Sequence, residues 1–413
     1  MLDEQGDTID FRPLSAEFAQ DPYPTYAAMR KLDRPYFYEG EKTWMLTRFA
    51  DVQEVALDKS MLRVVDENLS ETEKLARKTR MNMHDMPHHE RFVQNSLLDS
   101  EGDTHARLRK VVFREFTPAI VERQRAAVQD IVNALLDKVS NQSEIDFIAD
   151  FAAHVPGHII GRVLGVPADD SARLRKWSED IVSFWNIGRT QAGKDLAENA
   201  TREFYEYLST LLDQRAVKPQ DDLLTRMFEA KQAGELTEDE LVALAMQVLR
   251  AGHGSTIDTI GSGMHALLQF PDQMARLRAQ PELMKTAIQE MFRYNSPLPY
   301  FHRFATRDVT VGGYDYPAGT RFGLLYGAAN RDPAQFDDPD VFDVGRSPNR
   351  HISFGGGTHF CLGNHLARLD MDVIFNTLFK RYSEIELVDE NPEYKRGLSV
   401  RGPKTLMIKL KEA

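Results

Sequence analysis

The feature that most constrains the fold is one long helical run in the second half of the chain. Thr237 and Glu240 form a capping-box signature that opens the run, and Pro271 closes it at about Gln269. A helix of about 32 residues is roughly 48 Å long at ~1.5 Å per residue, enough to cross a whole domain. Helical periodicity also dominates the stretch before it. Val128, Ile131, Val132, Leu135, Leu136 and Val139 fall on one face of a helix. The β signals are short. Tyr36-Phe37-Tyr38 and Thr43 to Thr47, separated by Glu39-Gly40, read as a hairpin. Val309 to Val311, Gly312-Gly313, Pro317-Ala318-Gly319 and Phe322 to Leu325 read as strands and turns. The expectation is a mainly α fold with small β-sheets. With no repeat, low-complexity tract or clean linker, residues 1–413 read as a single domain, β-richer at about 30–60 and 300–330.

Composition narrows the function classes. A net charge of −12 argues against a nucleic-acid partner, which asks for a basic patch or stripe. The N-terminus is acidic and polar, unlike a signal peptide, and no apolar run is long enough to span a bilayer, so no membrane is expected. One cysteine in 413 residues leaves no intrachain disulfide and suits a cytoplasmic setting.

Inside the long helix lies Ala251-Gly252-His253-Gly254-Ser255-Thr256. Each helix-interior glycine costs about 1 kcal/mol relative to alanine. Two explanations fit: close approach of a flat ligand to the backbone, or helix packing through a glycine notch.

The single cysteine sits in Phe354-Gly-Gly-Gly-Thr-His-Phe-Cys361-Leu-Gly363-Asn-His-Leu-Ala-Arg, just before a segment with Leu362, Leu366, Leu369 and Val373 at apolar spacing. Gly355, Gly356 and Gly357 allow side-chain-free backbone approach. Amides at the start of the following helix favour a thiolate, a strong axial donor to haem iron. A buried cysteine acting as a small hydrophobe is the plain alternative. Zinc is another, given His351, His359 and His365, but the usual cysteine pairs or short-spaced histidines are missing.

Phe354-x-x-Gly357-x-x-x-Cys361-x-Gly363 resembles the haem-ligand loop of the cytochrome P450 superfamily, of soluble bacterial type. Glu290-Met-Phe-Arg293 resembles its Glu-x-x-Arg motif, and Ala329-Asn-Arg-Asp-Pro with Phe336, Pro339, Phe342 and Arg346 resembles its meander. His105-Ala-Arg-Leu-Arg109 resembles the helical pair that reaches the haem propionates. The resemblance covers nearly the whole chain. It implies a P450-like fold with haem b between the long helix and the cysteine loop, and Cys361 as axial ligand. His105, Arg109, Arg303, His351 and His359 are implied as propionate anchors, with Phe354 and Gly363 beside the haem. Glu290, Arg293 and Arg346 are implied as a structural lock.

Ala251 to Thr256 resembles the family's oxygen-binding segment, Ala-Gly-x-acid-Thr, with two departures. Gly254 stands at the acid position and Ser255 at the threonine position. Gly252 and Gly254 are expected to make room for oxygen, with Thr256 beside them. Ser255 is expected to position the protons that splitting dioxygen requires. Ordered water, His253 or Asp258 would replace the missing acid. A pocket lined by Phe92, Leu97, Leu98, Leu249, Ala251, Leu298, Pro299, Phe301 and Val400, roofed by Phe184 and Trp185, suits a small or medium hydrophobic substrate. His88, His89 and Arg91 near its entrance are candidates to recognise a carboxylate or phenol.

The resemblance implies a monooxygenase that uses O2 to hydroxylate or O-dealkylate its substrate. The Gly-His-Gly stretch is compatible with the family's aromatic O-demethylases. No dinucleotide fingerprint or cluster-binding cysteine set is visible, so electrons are expected from a separate ferredoxin or flavodoxin with an NAD(P)H reductase. Arg107, Lys110, Arg114 and Arg350 are candidates for its docking. The missing acid also admits a peroxygenase driven by H2O2, and a haem-based gas sensor is a third reading.

Overall fold

Thr237 and Glu240 cap the long helix as the sequence expects. The Glu240 amide donates to Thr237 Oγ1 at 3.2 Å, and the Thr237 amide donates back to Glu240 Oε2 at 2.9 Å. The helix then runs Glu238–Gln269, 32 residues without interruption. The structure, a computed structural model, describes residues 9–64 and 70–412.

The helices that position the site are α1 (Pro87–Gln94), α2 (Gly102–Phe113), α3 (Arg125–Val139), α4 (Val155–Leu164), α5 (Ser171–Phe184), α6 (Gln191–Val217), α7 (Glu238–Gln269), α8 (Met284–Tyr294) and α9 (Asn364–Arg381). The strands are β1 (Tyr36–Tyr38), β2 (Thr43–Leu46), β3 (Met61–Leu62), β4 (Glu144–Asp146), β5 (Phe301–Ala305), β6 (Val309–Val311), β7 (Tyr314–Tyr316), β8 (Arg321–Leu324), β9 (Tyr382–Leu387) and β10 (Met407–Glu412).

The backbone gathers into two compact units, and the boundary falls inside α7, between Gly254 and Ser255. The first unit comprises residues up to Leu62, Arg125–Ala153 and Ser255 onward, and it carries all the strands. Its five-stranded sheet has the order β1-β2-β8-β5-β3, drawn from the two β-rich stretches the sequence marks. The β1–β2 hairpin pairs Tyr36 with Met45, and β2 pairs parallel with β8, Trp44 opposite Phe322. Leu46, Val52, Val55, Phe322 and Leu324 are fully buried in the core beside this sheet. A second sheet, β4-β10-β9, joins residues near 145 to the C-terminus. In α3, Val128, Val132, Leu135, Leu136 and Val139 are buried, as their spacing requires. The second unit, Arg63–Gln124 and His154–Gly254, is helical, with α5 and α6 packed on each other.

Candidate functional site

In the first unit, the cysteine loop is shaped by backbone that only glycine tolerates. Gly355 and Gly357 adopt φ of +69° and +64°. A Cβ on Gly357 would come within 2.4 Å of the Ala56 carbonyl, so the loop lies directly against the helix holding Ala56. The Cys361 amide donates to the Phe354 carbonyl at 3.0 Å, and Asn364 Nδ2 donates to the Cys361 carbonyl at 2.9 Å. These bonds fix Cys361 just before α9, with its side chain partly exposed. Gly363 caps α9, and a Cβ there would meet nothing within 4 Å. Phe354 packs on Phe292 at 4.7 Å between ring centres, and the Arg368 guanidinium lies 4.3 Å from the Phe354 ring centre.

The lock is fully formed. Glu290 and Arg293, both 0% exposed, are joined by two hydrogen bonds of 2.7 Å. Arg346 Nε donates to Glu290 at 3.2 Å and Asn349 Nδ2 at 3.0 Å, while Arg293 also donates to the carbonyls of Asn330, Pro339 and Val341. A cation buried this deeply persists only with such complete pairing.

The propionate candidates divide by unit. In the first, Arg303 on β5 is 3% exposed and His359 is partly exposed. His351 departs from expectation because both its ring nitrogens are engaged within the protein. Nδ1 accepts from the Ser353 amide at 3.3 Å, and Nε2 faces Gln289 Oε1 at 3.2 Å. Burial holds its pKa down to about 3, so it is a neutral support under Phe354 with no donor to spare. In the second unit, His105 is buried and Arg109 partly buried, four residues apart on α2 and so on one helix face.

The two glycines of α7 play different parts. A Cβ on Gly252 would come within 2.9 Å of Ile160 Cγ1, so Gly252 is a packing notch against α4. A Cβ on Gly254 would meet nothing within 4 Å. Ala251 is exposed and Ser255 partly exposed, whereas His253 and Thr256 are buried. At 3.6 residues per turn, Arg250, Ala251, Gly254, Ser255 and Asp258 share one stripe. Thr256 lies away from that stripe. So does Leu249, which is wholly buried. His253 faces α4: a Cβ on Gly157 would sit 2.4 Å from its Nε2. Burial keeps His253 neutral, with a pKa near 4, and turned away from the relay position considered for it. Asp258 stays on the stripe and accepts a hydrogen bond from Lys395 Nζ at 2.7 Å.

Of the other pocket candidates, Phe92 and Leu97 are buried and Leu98 partly buried in the second unit. Leu298, Phe301 and Val400 are partly buried in the first, where Pro299 is buried. Arg91 is already matched, bonded to Asp239 and stacked on Tyr205 at 4.1 Å. The His88 amide donates to Glu198 at 2.9 Å, and His89 is buried. Arg107 forms a two-pronged pair with Glu240, at 2.9 and 2.6 Å, while Lys110, Arg114 and Arg350 stay exposed.

Compared with known proteins, the family model of cytochrome P450 matches residues 67–410. The chain belongs to the cytochrome P450 family. It is 31% identical over 410 residues to the polyketide biosynthesis cytochrome P450 PksS of Bacillus subtilis strain 168, covering 97% of this chain and 98% of that one. It is 32% identical to the 6-deoxyerythronolide B hydroxylase of Saccharopolyspora erythraea, covering 96% and 98%. Among solved structures, the myxobacterial P450 CYP267B1 in complex with myristic acid matches with a TM-score of 0.89 at 32% identity, covering 97% and 99%. The fold is therefore the P450 fold, and the chain is a cytochrome P450 monooxygenase with haem as its cofactor. No helix among the described residues is long and apolar enough to cross a membrane.

The residues present fit that cofactor. The loop of the first unit offers a partly exposed sulfur on backbone pinned by hydrogen bonds, beside glycines that leave its surface clear of side chains.

Proposed function

We propose that this P450 activates O2 with electrons from a separate ferredoxin or flavodoxin system and hydroxylates or O-dealkylates a small to medium hydrophobic substrate, aromatic rings included. Cys361 would hold the haem iron, with His105, Arg109, Arg303 and His359 at the propionates. Bound haem supplies oxygen activation and attack on a C–H bond, or on the carbon beside an ether oxygen. The chain's own residues do the rest. Gly254 keeps the α7 face clear for a small ligand, and Ser255 offers a hydroxyl on the same stripe.

The observation that carries the reading is the placement of Asp258. It lies three residues beyond Ser255 on the same helix face, paired to Lys395, whose side chain is 30% exposed. That pair supplies a route from Ser255 to solvent in place of the acid missing at Gly254. Lys110 and Arg114, exposed beside Phe113 at 49% exposure, form the docking patch for an acidic carrier.

The open Cβ position at Gly254 favours a second reading, an H2O2-driven peroxygenase. The two separate cleanly. NADH-driven turnover with a ferredoxin and its reductase, exceeding turnover with H2O2 alone, supports the first. Turnover with H2O2 and none with the electron-transfer chain supports the second.

A further inference from the structure

Arg250 on α7 is 7% exposed, yet it lacks the carboxylate partner that several other buried arginines have. Arg293 rests on Glu290, Arg215 on Asp222 and Arg63 on Asp99. Among the described residues, no carboxylate lies within ion-pair distance of Arg250. Its guanidinium carries five N–H donors, of which the described residues engage one: Nη2 donates to Gln247 Oε1 at 3.2 Å. Nε is buried without a hydrogen-bond partner. The guanidinium is held in place by rings, 3.9 Å from the Trp185 ring centre and 5.5 Å from that of Phe92. Trp185 is itself fixed, since its Nε1 donates to His89 Nε2 at 3.2 Å. His89 in turn packs between Phe92 and Phe184, with ring centres 6.2 and 5.9 Å away.

A buried cation with open donors is costly unless something anionic meets it. Arg250 lies one helical turn before Gly254, on the face of α7 that is open at Ala251 and Gly254. Phe92 and Trp185 are among the residues the sequence assigns to the pocket.

We propose that Arg250 is the substrate-recognising residue of this P450 and that its substrates are hydrophobic molecules bearing a carboxylate, whose oxygens pair with the guanidinium. This deepens the function proposed above and rests on it. The role expected of Arg91 passes to Arg250, because Arg91 is spent on Asp239.

The test is isothermal titration calorimetry on the haem-loaded full chain with two carboxylates, 4-methoxybenzoate and dodecanoate, each against its uncharged amide. At least one carboxylate binds about tenfold or more tightly than its amide, the size expected of a charge-assisted hydrogen bond. Which carboxylate shows the preference tells an aromatic acid from an aliphatic one. Arg250→Met abolishes the preference and Arg250→Lys keeps part of it. Equal binding of acid and amide by the unaltered enzyme overturns the proposal, whatever the variants do. So does a preference that survives in Arg250→Met. The carbon-monoxide spectrum of the same samples reports the haem–thiolate reading separately, so a normal spectrum with no carboxylate preference removes only the role of Arg250.

Discussion

Asp258 and Lys395 form a buried-to-solvent ion pair: the carboxylate is 1% exposed, the lysine 30%, and they meet at 2.7 Å. With His253 turned toward α4, we propose this pair as the carrier of protons toward Ser255. Asp258→Asn and Ser255→Ala should each lower product formed per NADH oxidised by about threefold or more, since each removes a positioned proton donor. Product formed with H2O2 should be far less affected. Unchanged coupling in both variants would remove Ser255 and Asp258 from proton delivery.

Glu290→Gln should destabilise the fold by about 3–5 kcal/mol, because it leaves the fully buried Arg293 without its counter-charge. Urea unfolding would show a lowered midpoint, and haem would be lost at lower urea than in the parent. A midpoint shift no larger than a surface substitution gives would mean the lock carries no stability.

Much of this was legible in the sequence where the signal is local. The capping pair Thr237–Glu240, the closing Pro271 and the β1–β2 hairpin each act over a few residues, and the structure reproduces them. The cysteine loop was legible because a single thiol amid glycines is rare. The pairing of β2 with β8 joins Trp44 to Phe322, and β10 joins Ile145 to Ile408. Such long-range registers leave no local trace. The same holds for Arg250, whose setting depends on Phe92 and Trp185 far along the chain. The different roles of Gly252 and Gly254 follow from helix packing at Ile160 and could not be read from the tripeptide alone.

The glycines offer a direct contrast. Gly254→Ala should be neutral or stabilising by up to about 1 kcal/mol, since the position is open and alanine favours the helix. Gly157→Ala should destabilise, because its Cβ would sit 2.4 Å from His253 Nε2. Thermal unfolding of the two variants checks this, and the reverse order would contradict the packing described for α7.

Acid should weaken the fold through buried neutral histidines. Burial lowers the pKa of His89 to about 3, and of His253 and His265 to about 4. The unfolded chain binds protons at these sites below about 6.5, while the native state does not. Their contribution is therefore complete above pH 6.5 and is lost as pH falls toward 4, each histidine adding about 1.4 kcal/mol per pH unit to the slope. Urea midpoints from pH 7 to 5 measure the slope, and His89→Gln should reduce it. A stability independent of pH over that range would show these histidines to be solvated.

The most direct test of the central claim is the reduced, carbon-monoxide-bound absorption spectrum of the purified haem-loaded protein beside that of Cys361→His. The account predicts a thiolate-type band in the parent that is absent from the variant. A histidine-type band in the parent, or a thiolate-type band that persists without Cys361, would contradict it.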